Sequence, residues 1–197
     1  RSIPCVFIDP WGSPALGIMS VQTDNWAGGV FATRHLIQLG HRRIATITGP
    51  TSAMCANARL DGYRNALMEA GIPYDAQLVR RGEFSQNSGC ALTLDLLQGR
   101  NRPTAIFAKS DFIAMGVYEA AHQSGLRIPE DLSVVGFDDI STSKFMGPAL
   151  TTMHQPSTDM ARTAVDMIAA VRNGDSINER AILPTTLIER SSTCPPA

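Results

Sequence analysis

Several features that define whole classes of protein are missing from this sequence. The four cysteines, Cys5, Cys55, Cys90 and Cys194, show no C-x-x-C spacing, which argues against a zinc site or a disulfide-rich secreted fold. We therefore predict buried, reduced thiols in a cytoplasmic protein. No apolar run approaches the roughly 18 residues of a membrane span, and the first residues do not form a secretory signal peptide.

Positive charge is also scarce. The chain has 17 Lys and Arg against 18 Asp and Glu, so its net charge is -1. A surface that binds DNA needs a basic cluster, because neutralising phosphates supplies most of the affinity. The densest basic spots, residues 41–43 and 80–81, flank predicted strands and are interpreted as solvated charges. We expect that they do not bind nucleic acid by themselves.

Catalytic signatures are absent as well. The sequence contains no G-x-S-x-G, no H-E-x-x-H and no phosphate-binding glycine loop. Paired acids could in principle perform acid–base chemistry or bind magnesium, but nothing beside them completes a catalytic set. We therefore expect a binding protein, not an enzyme, with no metal and no cofactor.

What the sequence does contain is an alternation of strand-like and helix-like segments from residue 42 onward. Strands are predicted over 43–48, 77–81, 104–108 and 132–137. Helices are predicted over 54–70, 85–98 and 110–124, with Ser52, Ser85 and Ser110 as N-caps. Short apolar runs between helices are typical of a parallel sheet covered on both faces, so the sequence predicts a doubly wound α/β fold.

The two ends of the chain have a different pattern. Strands are predicted over 5–9, 18–23, 150–154, 180–183 and 186–191, and helices over 25–39 and 156–173. The early strands and the late helix would make a poor domain alone. They are interpreted as parts of a second lobe whose beginning is missing.

Polar residues follow the strands where a parallel sheet places its ligands, beyond the carboxyl ends. This group consists of Asp9, Ser110, Asp111, Asp138, Asp139 and Gln155, with Arg59 facing the same rim from a helix and the aromatic residues Trp11 and Phe84 in adjacent loops. Carboxylates accept hydrogen bonds and a guanidinium donates them, so the set suits a sugar or polyol. Structural alternatives stay open: Ser110 as an N-cap, Asp111 as a charge at a helix start, and Asp138 or Asp139 in a turn.

The motifs are also similar to those of a known family. They are His35-Leu36-Ile37-Gln38-Leu39-Gly40-His41-Arg42-Arg43-Ile44-Ala45, Arg59-Leu60-Asp61-Gly62-Tyr63, Pro103-Thr104-Ala105-Ile106-Phe107-Ala108, Ser133-Val134-Val135-Gly136-Phe137-Asp138-Asp139, Pro148-Ala149-Leu150-Thr151-Thr152 and Leu183-Pro184-Thr185-Thr186-Leu187. In this order they cover nearly the whole chain. The sequence resembles the effector-binding core of LacI/GalR-family bacterial transcription regulators.

The resemblance implies a periplasmic-binding-protein-like type I fold, in which two α/β lobes close on a ligand. Residues 24–153 and 179–197 would form the C-terminal lobe, and residues 1–23 and 154–178 part of the N-terminal lobe. The family's helix-turn-helix and the first half of its N-terminal lobe are expected upstream. The implied function is cytoplasmic sensing of a small effector, expected to be a sugar, by a dimer that binds operator DNA. The alternative is a periplasmic sugar-binding protein of a transport system.

The resemblance also assigns roles to single residues. Arg59 and Asp138 match the family's ligand-binding arginine and aspartate, Asp9 a sugar contact, and Phe84 an aromatic that stacks on effectors. Ser110 stands where Asn is common, Cys55 where a small hydroxyl residue is frequent, and Ala53 where purine-binding members carry a basic residue. Family dimers would pair through Met115, Phe145 and Met146.

Overall fold

The computed structural model describes residues 3–12, 14–99 and 101–196. Along the chain its elements are β1 (Val6–Ile8), β2 (Met19–Thr23), α1 (Asn25–Gln38), β3 (Ile44–Thr48), α2 (Met54–Glu69), β4 (Val79–Arg81), α3 (Gln86–Leu97), β5 (Ala105–Ala108), α4 (Asp111–Gln123), β6 (Ser133–Asp138), β7 (Thr151–His154), α5 (Ser157–Asn173), β8 (Arg180–Leu183) and β9 (Thr186–Ile188). The strands form two separate sheets. The predicted lobe limits at residues 1 and 197 lie outside the described residues.

The larger sheet has six strands in the order β4-β3-β5-β6-β7-β9. Its described neighbours run parallel, except that β9 is antiparallel to β7. Helices α1 and α2 pack together on one face and α3 and α4 on the other. Every residue of β3 and β5 is buried, as expected for strands covered on both faces. The doubly wound α/β prediction is confirmed.

Two glycines let α1 and α2 approach closely. A Cβ atom at Gly29 would collide with the backbone of Arg59, and one at Gly62 with the carbonyl of Trp26. Any larger residue at these positions would push the helices apart. The tight crossing fixes the position of Arg59 relative to the start of α1.

The smaller sheet contains three parallel strands in the order β1-β2-β8, with α5 packed against it. Its core is small and consists mainly of Met19, Val21, Met160, Ala164 and Met167. The prediction that residues 179–197 all belong to the larger lobe is wrong for β8. That strand pairs with β2 from Ser20↔Arg180 to Thr23↔Leu183, and only β9 returns to the larger sheet.

Three local predictions also need correction. Ser52 does not cap α2, because Ala53 occupies the N-cap position without a side-chain bond. Residues 77–81 are not strand throughout, since Ala76–Leu78 form a 3-10 turn before β4. The cysteines are free, but only Cys90 is buried, and Cys5 is exposed.

Three segments of the described chain connect the two sheets, at residue 24, residues 155–156 and residues 184–185. They lie side by side and are tied together. The Asp24 amide donates to the Leu183 carbonyl at 2.8 Å, and the Thr23 hydroxyl donates to Gln155 Oε1 at 3.0 Å. Within the described ranges, no helix is long and apolar enough to cross a membrane.

Candidate ligand-binding site

A cleft of about 300 Å³ opens between the two sheets, at the carboxyl ends of the strands. Its lining comprises Asp9, Trp11, Cys55, Arg59, Phe84, Ser110, Phe112, Asp138, Ile140 and Gln155. The structure therefore brings together every predicted ligand-site residue except Asp111 and Asp139. Phe112 and Ile140 are additional lining residues that the sequence reasoning did not select.

Arg59 is the buried cation of the cleft, with 2% of its surface exposed. Its Nε donates to Asn25 Oδ1 at 2.8 Å, and its Nη1 donates to the Lys109 carbonyl at 2.6 Å. The guanidinium lies over the Phe137 ring, 3.6 Å from the ring centre. Bonds on two sides and an aromatic ring beneath hold the group in one orientation, as a preorganised donor requires.

Asp138, at the end of β6, is the acceptor opposite Arg59. Its Oδ1 accepts from Gln155 Nε2 at 2.6 Å and lies 3.6 Å from Arg59 Nη1. Burial raises the pKa of Asp138 to about 6, although Arg59 and Gln155 act in the opposite direction. The backbone of Asp138 has φ 113°, outside the usual range for a residue with a side chain. Such strain costs about 1–3 kcal/mol and is typical of binding sites.

A ring of hydrogen bonds joins the cleft to the connections between the sheets. Gln155 bridges Asp138 of β6 and Thr23 of β2, while the Asn25 amide donates to the Thr23 carbonyl and its oxygen accepts from Arg59. The sequence reasoning missed Thr23 and Asn25. Their only sequence signal was their position at the junction of a strand and a helix, since Thr23 ends β2 and Asn25 begins α1. Because of these hydrogen bonds, a displacement of Asp138 or Arg59 would also disturb the segments that connect the two sheets.

Asp111 does not line the cleft, and the prediction of a ligand contact there is corrected. The residue is fully buried. Its Oδ1 accepts from the Thr152 hydroxyl at 2.6 Å, and its Oδ2 accepts from the Ser143 hydroxyl at 2.6 Å and the Ile140 amide at 2.9 Å. Burial nevertheless raises the pKa of Asp111. The carboxyl group is saturated by protein donors and ties α4 to the loop after β6.

Three aromatic residues also line the cleft. Trp11 and Phe84 meet edge to face, with ring centres 6.1 Å apart, and Phe112 is half exposed. The Trp11 indole N–H donates to the Ser52 hydroxyl at 3.3 Å. A cleft that combines apolar rings with carboxylates and a guanidinium suits a molecule with C–H faces and hydroxyl edges.

The remaining predicted residues that line the cleft are Ser110, Cys55 and Asp9. Ser110 is the N-cap of α4 and accepts from the Ile113 amide at 3.2 Å, so its oxygen has one commitment already. Burial raises the pKa of the Cys55 thiol, which keeps that group neutral. Asp9 follows β1 with φ 48° and contributes a carboxylate from the smaller sheet. The cleft thus combines groups from both sheets.

Asp139 has a structural role next to the cleft. It accepts from Arg190 Nη2 at 2.7 Å and pairs with His154 Nδ1 at 3.0 Å, which links β6, β7 and the segment after β9. The two neighbouring aspartates therefore differ: Asp138 lines the cleft, whereas Asp139 is held by Arg190 and His154.

Lys109 is a second buried basic residue whose burial the sequence did not reveal. The side chain is fully buried, and its Nζ has no hydrogen-bond partner among the described residues. Burial lowers the pKa of Lys109 far below its ordinary value, and Arg81 and Arg59 act in the same direction. Burying an unpaired ammonium group is costly, so this environment favours the neutral amine. It lies near the rings of Tyr63 and Phe107, away from the cleft lining.

The three predicted dimer residues lie on α4 and in the loop after β6. Phe145 is 78% exposed, whereas Met115 is half-buried and Met146 packs partly against the core. Phe145 is therefore the member of this group most available for a partner.

Comparison with known proteins agrees with this geometry. Residues 33–193 match the family model described as periplasmic binding protein-like domain. The chain is 37% identical to the ribose operon repressor of Haemophilus influenzae, over 97% of this chain and 58% of that protein. It is 42% identical to the HTH-type transcriptional repressor PurR of Edwardsiella ictaluri, over 85% of this chain and 49% of that protein.

A solved structure extends the likeness to three dimensions. The LacI family transcriptional regulator from Enterococcus faecium, with bound ribose, superimposes with a TM-score of 0.88 at 30% identity. The match covers 98% of this chain and 71% of that one. The chain therefore belongs to the periplasmic-binding-protein-like domain family, within the LacI family of transcriptional regulators. The resemblance inferred from the sequence motifs is confirmed.

Proposed function

We propose that this chain is the effector-sensing domain of a bacterial DNA-binding transcription regulator, and that its effector is a neutral sugar. The observation that carries the proposal is the pairing of Asp138 and Arg59 in a cleft that aromatic side chains also line. Asp138 and Asp9 would accept hydrogen bonds from sugar hydroxyls, and Arg59 and Gln155 would donate to sugar oxygens. Trp11 and Phe84 would cover a C–H face of the ring.

The charge of the cleft favours a neutral ligand over a phosphate. Among the described lining residues, Arg59 is the one permanent cation, and it already lies near Asp138. Asp9 and Asp138 would repel an anion. The ribose named in the Enterococcus faecium structure supports the sugar class, while the PurR relative keeps a purine as a competing outcome.

Ligand binding would act on the connections between the sheets. Arg59 and Asp138 belong to the hydrogen-bonded ring that includes Asn25, Thr23 and Gln155. A sugar that draws Asp138 and Arg59 together would favour one arrangement of the lobes over another. Different affinities for the two arrangements are what an allosteric switch requires.

DNA binding and dimerisation are proposed as properties of the whole protein and not of these residues alone. The relatives are repressors, one of them named as an HTH-type protein, which supports operator binding through a segment beyond these residues and a cytoplasmic location. The exposed Phe145, with Met115 and Met146, supports a homodimer contact along α4. The regulator names also favour this function over a transport protein of the same fold.

Isothermal titration calorimetry against ribose, other monosaccharides and purine bases tests the effector class. We expect a monosaccharide to bind and Asp138→Asn to weaken binding at least about tenfold, because the mutant loses a charged acceptor. Asp61→Asn is the matched control, since Asp61 is exposed on α2 and pairs only with Arg64.

Arg59→Lys complements this test because it keeps the charge but loses the planar fork. Thermal unfolding of each variant verifies that it is folded, which matters because Arg59 is buried. Unchanged sugar affinity in both Asp138→Asn and Arg59→Lys, or binding of a purine alone, would refute the assignment.

A further inference from the structure

A second cavity, of about 140 Å³, adjoins the cleft. Asp9 and Cys55 line both spaces, so a ligand in either one would meet the same two side chains. We call this second space the side cavity. It lies where β2 leads into α1, next to β8, and of its lining residues only Asp9 has been given a ligand contact above.

The outer wall of the side cavity is apolar and unusually open. Trp26, Met54 and Ile182 line it and are 46%, 45% and 59% exposed. The three side chains come from α1, α2 and β8, which are distant in sequence. Large apolar side chains grouped around a concavity indicate a contact surface for a ligand. A tryptophan at this position offers a flat face and an N–H donor together.

The inner wall of the side cavity is polar and rich in acceptors. Gln22, Asp24 and Asp9 line it, and no lysine or arginine is among its described lining residues. Asp24 uses Oδ1 to cap α1 at the Ala27 amide, at 2.9 Å, which leaves its second oxygen for another donor. Two carboxylates without a cation disfavour an anionic ligand and suit hydroxyl groups.

The side cavity thus repeats the chemistry of the cleft on a smaller scale. Each space has an aromatic face, carboxylate acceptors and a neutral donor, and Asp9 can serve a ligand in either one. We propose that the side cavity is a second sugar subsite, so that the effector is a disaccharide with one ring in the cleft and the other against Trp26. This inference rests on the proposed sugar-binding function and narrows its ligand class.

Calorimetry with matched sugars tests the inference on the intact protein. Cellobiose, maltose, lactose and trehalose are compared with glucose, galactose and ribose. We expect one disaccharide to bind about tenfold more tightly than its component monosaccharide. Trp26→Ala should remove that advantage and leave the monosaccharide affinity unchanged. Phe31→Ala is the matched control, because Phe31 is a similarly exposed aromatic on α1 outside both spaces.

Fluorescence gives a second readout that a structural role would not change. The chain has two tryptophans, Trp11 and Trp26, so the part of the wild-type emission change that is lost in Trp26→Phe reports on Trp26. A disaccharide should shift its emission to shorter wavelength, and a monosaccharide should not. Equal affinity for mono- and disaccharides, or equal losses with both in Trp26→Ala, would overturn the second subsite while leaving the proposed function intact. Failure of every sugar to bind would overturn both.

Discussion

The larger and the smaller sheet bury their residues to very different degrees. In the larger sheet β3 and β5 are buried at every position, and helices cover both faces. In the smaller sheet two of three residues of β1 are exposed, and Phe7, Ile8 and Ile182 are each about half exposed. The larger sheet is stabilised by its own core, whereas the smaller sheet leaves much of its apolar surface in contact with water.

The difference also separates two kinds of polar residue. In the region of the larger sheet, the buried carboxylate of Asp111 is satisfied by protein donors and serves the fold. At the border between the sheets, Asp138, Asp9 and Gln155 line open space. The ligand chemistry therefore lies where the two regions meet.

The largest expected effect is on stability, and it is seen by replacing a phenylalanine with alanine in each of the two sheets. Phe107 is fully buried and Phe7 is 50% exposed. We expect Phe107→Ala to lower the free energy of unfolding by about 3–5 kcal/mol, because it leaves a cavity, and Phe7→Ala to lower it by less than about 1 kcal/mol. Urea unfolding measures both, and similar losses would show that the two sheets do not differ as described.

A second, smaller effect concerns the buried amine of Lys109. Replacing it by methionine removes an unpartnered polar group, so Lys109→Met should raise the free energy of unfolding by about 2 kcal/mol at pH 7. The folded pKa of Lys109 lies below its unfolded value, so unfolding takes up a proton between the two values. Stability should therefore rise with pH over that window in the wild type.

The control for Lys109 is Lys144→Met, because Lys144 is exposed in the loop after β6. Its stability and pH profile should match those of the wild type. If Lys109→Met is less stable than the wild type, or keeps the same pH profile, the amine has a partner in solution and the burial argument fails.

The smallest effect is a pH dependence of sugar affinity at the border of the sheets. Sugar hydroxyls donate to the Asp138 carboxylate, so binding favours its ionised form, and the pKa of Asp138 is about 6 in the free protein. Affinity should be about tenfold lower at pH 5 than at pH 7.5. Asp138→Asn should abolish this dependence and Asp9→Asn should keep it. A wild-type affinity that is constant from pH 5 to 7.5 would contradict this.

Much of the fold could be predicted because its signal is local. The short buried runs at β3, β5 and β6 and the serine N-caps at Ser85 and Ser110 specify a helix-covered parallel sheet. Since parallel strands of one sheet end at one edge, the same pattern predicts that Ser110, Asp138 and Gln155 converge, whereas Asp9 reaches the cleft from the smaller sheet. Arg59 joins them because α2 follows β3.

The exceptions were decided by residues far apart in the chain. Asp111 and Asp138 are alike in sequence context, but Ser143 and Thr152 close over Asp111, whereas Asp138 remains open. Likewise, β8 joins the smaller sheet by pairing with β2, which lies about 160 residues earlier. The local sequence thus determined the helices and strands of this protein and the sheet edge at which its polar residues gather. Tertiary packing alone decided which carboxylate lines the cleft, because hydrogen-bond partners and water exclusion come from distant segments.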